Sequence, residues 1–214
     1  MDIVGLGTPF GLAFASGLNA YLPLLAYASA VRWLHLYKVN PNFTFITSNW
    51  FMVLLVILTL LDFFADKIPL LDHVWDTIHT AIRPIAGALI AAASSGAIHL
   101  PTGTGYHVSG DVPVAFGTAS VAGIALLLVA LVGGGLAALS HITKSTTRLV
   151  STVTTAGFLN IVLSIAEDVL VVIIVLLSLF ASTIMFILLV LLILILVPRL
   201  IRMRNVWLKK RRMM

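Results

Sequence analysis

Four carboxylates stand in otherwise apolar stretches: Asp62 and Asp66, one helical turn apart, and Glu167 beside Asp168. A charge near the centre of a bilayer costs between about 3 and more than 10 kcal/mol, depending on the scale, so these acids point to binding of protons or a cation. The functional reading makes Asp62 and Glu167 a pseudo-symmetric pair facing a central cavity. The structural reading puts Asp62 and Asp66 at the inner interface and pairs Glu167 with His141 or Arg148. His141, Lys144 and Arg148, at i, i+3 and i+7, form one basic face if their segment is helical. Such a face neutralises Glu167 and Asp168, holds an anionic substrate group, or is ordinary positive-inside flanking. Asn19 and Asn160 either line a cavity at a helix break or hydrogen-bond between helices.

A fourth set lies in LLDHVWDTIHTAIRP, where Asp72, Asp76, His79 and Arg83 share one helical face and Leu71, Val74, Trp75, Ile78, Ala81 and Ile82 share the other. That pattern predicts an amphipathic interfacial helix near 70–83 on the inner membrane surface. Its polar face is either simply solvated, or Asp72, Asp76 and His79 bind a cation; no particular metal is implied.

The elements that must position these groups follow from composition. Of 214 residues 60% are hydrophobic and 10% charged, and mean hydropathy is +1.12. A soluble domain carries about a quarter charged residues, so an ordinary cytosolic enzyme and a disordered tail are both excluded. Uncharged stretches mark spans at Gly5–Val31, Phe43–Leu61, Pro84–Ile98 and Val112–Ser140, then near 155–178 and 182–202, turning around Ser178–Thr183. A fifth span at 149–167 followed by one long tilted helix gives the same count. Gly5–Val31 is longer than a bilayer needs, so it must tilt, kink at Pro23 or break. The third span is short and draws its first turns from the segment before it. PTGTGYHVSGDVP, residues 101–113, reads as an outward Gly-rich turn.

Six spans place both termini on one side. Seven of the thirteen basic residues crowd the last sixteen positions, so that side is cytoplasmic, with eleven basic residues inside against Arg32 and Lys38 outside. The sequence pI of 9.9 therefore reports membrane orientation and not nucleic-acid binding. No cleaved signal is evident. The absence of cysteine excludes disulfides and thiolate chemistry. No His-Glu-x-x-His, Gly-x-Ser-x-Gly or phosphate-binding loop is present, so neither an enzyme nor a cofactor is implied.

An internal repeat is suggested by two shifts. At 106 residues, Ser16–Leu18 matches Ala122–Ile124, and Leu34–Lys38 matches Ser140–Lys144 with a shared His-x-x-Lys. At 105 residues, Leu58-Thr59-x-x-Asp62 matches Leu163-Ser164-x-x-Glu167. Three spans per half is the odd number that inversion requires. Gly87, Ala91, Ser95 and Gly133, Ala137, His141 place small residues at four-residue intervals, a close-packing seam.

Ser16-Gly17-Leu18-Asn19-Ala20-Tyr21-Leu22-Pro23, Asp66-Lys67-Ile68-Pro69 with Asp72, Asp76 and Arg83-Pro84, Gly133–Gly135 with His141-x-x-Lys144 and Arg148, and Ser164 with Glu167-Asp168 resemble the bacterial membrane family of domain of unknown function 4126. The resemblance covers nearly the whole chain. It implies a bacterial cytoplasmic-membrane protein in which these polar positions recur, and it brings no activity.

The expectation is an all-α integral membrane protein of about six transmembrane helices. One membrane domain would comprise half-repeats 1–99 and 112–202 and a basic cytoplasmic tail at 203–214. As a function it suggests a small transporter or channel-like carrier whose carboxylates bind protons or a cation. The alternatives are a lipid-phosphate flippase using Arg83, His141, Lys144 and Arg148, and a non-transporting scaffold or assembly factor. Partners would be membrane lipids, a small ion or solute, and a second copy in a homo-oligomer.

Overall fold

The described residues hold seven α-helices and one 3-10 segment joined by short non-helical stretches, with no strand among them. The structure is a computed structural model and describes residues 5–67, 69–95, 121–155 and 158–211. Gly7–Ser16 is α1, Leu22–Arg32 is α2, Asn49–Ala65 is α3, Pro69–Ser94 is α4, Val121–Thr155 is α5, Phe158–Phe180 is α6 and Ser182–Arg211 is α7. The 3-10 segment Pro41–Thr47 meets α3 at a bend of 62°.

The stretch Gly5–Val31 breaks into α1 and α2 at residues 17–21, five residues of non-helical chain. Pro23 lies in the first turn of α2, where a missing N–H costs no helical bond, so it does not kink the span. Asn19 organises the break: its Oδ1 accepts from the backbone N–H of Tyr21 at 3.1 Å and of Leu22 at 2.9 Å. Two otherwise orphaned donors at the start of α2 are thereby satisfied.

α1 threads the middle of the molecule, packed against α4, α5, α6 and α7. Its far end is fixed to the α6–α7 corner, where Ser182 Oγ accepts from Thr8 N–H at 2.9 Å and Thr8 Oγ1 donates to the Ser178 carbonyl at 2.7 Å. The most extensive pairing joins α4 to α5. The two small-residue stripes pack on each other there: a methyl on Gly87 would overlap Ala137 Cβ, and one on Gly133 would overlap Ala91 Cβ. The two backbones therefore approach as only small residues allow.

Apolar helices of this kind are those of a membrane protein. Gly123–Thr155 and Leu159–Phe180 are long and apolar enough to cross a bilayer, and the bent pair formed by Pro41–Thr47 and α3 makes a third if counted as one span. Among the described residues fewer helices pass this test than the six apolar stretches suggested. α1 and α2 are each half a span at about 15 and 17 Å, α4 carries charge along its first half, and Ser182–Ile195 is the apolar stretch of α7 among the described residues. Val53, Leu60 and Phe64 on α3, Leu149 and Val153 on α5, and Val162, Val169 and Leu176 on α6 are exposed, an outward apolar surface suited to lipid tails.

Three further expectations change. The segment near 70–83 is not a separate interfacial helix. It runs without interruption through Pro84 into the apolar half of α4, and His79 and Arg83 on its polar face are buried. α5 continues to Thr155 and α6 starts at Phe158, so no span runs from 149 to 167, whereas the break at Ala181 falls inside the expected turn. The two His-x-x-Lys segments occupy unlike places: His35 and Lys38 are exposed in non-helical chain, with His35 at φ 53°, whereas His141 and Lys144 are buried within α5. The turn region 101–113 and the start of the expected fourth span, 112–120, lie outside the described residues.

Candidate functional site

Four helices bring their charged residues to one place inside the protein. Helical spacing puts Asp62 and Asp66 on one face of the end of α3, and His79 and Arg83 on one face of α4. The face of α5 carrying His141, Lys144 and Arg148 turns inward, and Glu167 of α6 closes the group. Asp62 and Arg83 are 0% exposed, His79 1%, and Asp66 6%. At the same level the outer face of α5 presents Ile142, Leu149 and Val150 together with the hydroxyls of Thr143, Thr146 and Thr147, and that of α6 presents Ile165 and Val169.

Asp66 is the hub. Its Oδ2 accepts from Lys144 Nζ at 2.5 Å and from Arg148 Nη2 at 3.2 Å, and its Oδ1 lies 4.0 Å from Arg83 Nη2. Glu167 Oε2 accepts from Arg148 Nη2 at 2.6 Å and lies 3.4 Å from Lys144 Nζ. Lys144 Nζ also donates to the Leu18 carbonyl at 3.1 Å, at the break that follows α1. The ammonium thus ties the carbonyl end of a half-helix, favourable for a cation, to two carboxylates. Gly17 permits this approach, since a side chain there would overlap Ser140 Oγ and the Ala137 carbonyl of α5.

The second centre is Asp62. Trp75 Nε1 donates to its Oδ1 at 2.8 Å, and Arg83 Nη2 and His79 Nε2 lie 3.7 and 3.5 Å from that same oxygen. Arg83 Nη1 reaches Asp76 Oδ1 at 3.3 Å and donates to His141 Nδ1 at 2.8 Å. Because a guanidinium only donates, His141 Nδ1 must carry a lone pair. Its Nε2 faces Thr80 Oγ1 at 3.2 Å, and that hydroxyl donates to the Asp76 carbonyl at 2.9 Å. His141 is therefore held neutral with its proton on Nε2. His79 is the reverse case, with Nδ1 2.8 Å from the Trp75 carbonyl, which can only accept, so Nδ1 carries the hydrogen.

Asp62 and Glu167 do not form a pair across a cavity. Each lies against cations of its own, and they are linked through Arg83, Asp66 and Arg148. The structural pairing of Glu167 with Arg148 is present; His141 instead takes Arg83. Asp168 lies apart, paired with Lys67 at 2.7 Å with both side chains about a quarter exposed, and the Lys67 ammonium also sits over the Phe63 ring. Asn160 donates to Thr152 Oγ1 of α5 at 2.9 Å, an interhelical hydrogen bond, and Asn19 serves the helix break.

The side chain of Asp72 lies outside the described residues. Among those described, no group of three or more His, Asp or Glu side chains could hold a metal ion. Sequence reasoning missed Trp75 and Tyr21 as members. Trp75 was assigned to the apolar face of its helix, although it sits one turn before His79 and can reach the same carboxylate. The Tyr21 ring packs edge-on to His79 with centroids 5.7 Å apart, a contact that depends on the break.

A family model for a domain of unknown function, DUF4126, matches residues 6–202. No curated protein and no solved structure matches the chain.

Proposed function

The chain belongs to the DUF4126 family, a domain of unknown function, and from the site alone we propose that it is a small membrane carrier in which the buried network binds a proton or small cation. One observation carries this reading. The break between α1 and α2 lies directly on the ion-pair network, with Lys144 bridging the Leu18 carbonyl to Asp66 and Glu167. Broken helices with charges at the break are how many secondary transporters build an ion site within the bilayer. Purely structural helix packing requires neither the break nor five buried ionic side chains, each costly to desolvate.

In this reading Asp62, Asp66 and Glu167 are the ion-binding acids, and Arg83, Lys144 and Arg148 are the counter-charges that exchange partners when the ion enters or leaves. Six spans as two inverted halves, with both termini in the bacterial cytoplasm, is the topology that fits such a carrier. The lipid-phosphate alternative is less well supported, because a phosphate would have to displace carboxylates already held at 2.5 to 3.2 Å. A scaffold needs the network only for stability.

The test is purified protein in liposomes, following collapse of imposed proton, sodium and potassium gradients. A carrier dissipates at least one of them faster than protein-free vesicles do. Folded, inserted protein that dissipates none of the three removes the carrier and leaves the scaffold.

A further inference from the structure

The three permanent cations of the network, Arg83, Lys144 and Arg148, face four carboxylates, Asp62, Asp66, Asp76 and Glu167. With both histidines neutral, the described group holds one uncompensated negative charge on a largely buried set of side chains, a costly state. One more proton would balance it, and the geometry distinguishes the two histidines. His141 has no free lone pair, since Arg83 donates to Nδ1 while Nε2 faces Thr80. His79 has its Nδ1 hydrogen on the Trp75 carbonyl, so a neutral ring presents a bare Nε2 to Asp62 Oδ1 at 3.5 Å. Two acceptors then face each other. His79 Nε2 and Asp62 Oδ2 are both buried and make no hydrogen bond among the described residues.

We infer that His79 and Asp62 form the proton site of the network, taking up one proton from the aqueous phase on His79 Nε2. The bare lone pair becomes an N–H aimed at a carboxylate, and the network becomes neutral. This deepens the carrier reading by naming the ion as a proton and its seat as the α3–α4 contact. The other groups around the seat are fixed in kind. Asp66 comes from α3, Asp76 and Arg83 from α4, the Tyr21 ring from the helix break, and His141 and Lys144 from α5. Burial and Arg83 oppose the proton, and the carboxylates favour it, with Asp62 the carboxylate in contact.

Trp75 is a built-in reporter, because its indole donates to Asp62 and its ring centroid lies 4.9 Å from that of His79. An imidazolium quenches an adjacent indole by accepting an electron from its excited state, and a neutral imidazole does so much less. The experiment uses the full chain with Trp33→Phe, Trp50→Phe and Trp207→Phe, so that Trp75 alone fluoresces, titrated in detergent from about pH 8 to about pH 4. The expected result is a one-proton fall in emission on acidification, lost in His79→Gln and moved to lower pH in Asp62→Asn, with unchanged helical circular dichroism. Absence of titration in the folded Trp75-only protein overturns the proposal, as does titration that survives His79→Gln. Failure of Asp62→Asn to fold leaves the His79→Gln comparison decisive. Titration without ion flux in the liposome assay keeps the proton site and removes the carrier; flux without titration removes the site and keeps the carrier.

Discussion

Replacing Asp66 with Asn keeps the size of the side chain and removes the charge on which Lys144 and Arg148 converge at 2.5 and 3.2 Å. Both cations are at most 3% exposed, so neither can reach water, and the nearest remaining carboxylate for both is Glu167. Two buried cations would then share one anion. Stranding a buried charge in this way costs about 3 to 5 kcal/mol. At roughly 2 to 4 °C per kcal/mol for a chain of this size, the melting temperature of Asp66→Asn should fall by roughly 6 to 20 °C. Thermal unfolding in detergent, followed by size exclusion after heating, measures it. Lys67→Ala is the control, because its pair with Asp168 is about a quarter exposed on both sides and should be worth about 1 kcal/mol or less. Adding Lys144→Met to Asp66→Asn removes the stranded ammonium as well and should recover part of the loss. If Asp66→Asn melts within a degree or two of the unmodified chain, the hub is not holding these helices together and the reasoning fails.

The α4–α5 seam makes a paired prediction. Gly133→Leu drives a side chain into Ala91 and the Gly87 carbonyl, and the folded yield should collapse, whereas Gly135→Ala faces open space and should be neutral or stabilising by up to about 1 kcal/mol. Similar yields for the two by fluorescence-detected size exclusion would show that close backbone approach is not required. The proposed topology predicts that single cysteines at Thr104 and Lys210 differ in intact cells, with impermeant reagent reaching only position 104; labelling at 210 would reverse the orientation.

Composition and apolar runs made the helical membrane class legible, and the four-residue spacing of Gly87, Ala91, Gly133 and Ala137 made the seam legible, because both depend on local periodicity. The inward face of α5 was legible for the same reason: His141, Lys144 and Arg148 share a stripe and are at most 3% exposed. Partner choice was not. Whether Glu167 meets Arg148 or His141 depends on the rotation of α6 against α5, which apolar sequence leaves undetermined over a turn or more. The polar row of α4 was misplaced because amphipathic periodicity distinguishes two faces without saying which one meets water. Here His79 and Arg83 meet carboxylates and turn inward. That the short third span draws its first turns from the segment before it was legible from its length, and α4 does run through Pro84, where the cost of a proline inside a helix can be offset by packing on both sides.

The ion-pair network also imposes an order on how the chain is made. A ribosome delivers α3 well before α5, so Asp62 and Asp66 have to wait in or beside the membrane with Arg83 of α4 as the network's one cation, 3.7 and 4.0 Å from them in the finished protein. Lys144 and Arg148 arrive together on α5 and, with Arg83, balance the waiting Asp62, Asp66 and Asp76, and α6 then adds Glu167 as the fourth carboxylate. The group thus carries surplus negative charge until α5 is in place, passes through balance there, and ends with one negative charge over once α6 arrives, so a nascent chain interrupted between α4 and α5 carries the largest unbalanced charge. Such a chain has a reason to be held by the insertion machinery until α5 brings the two cations that balance it.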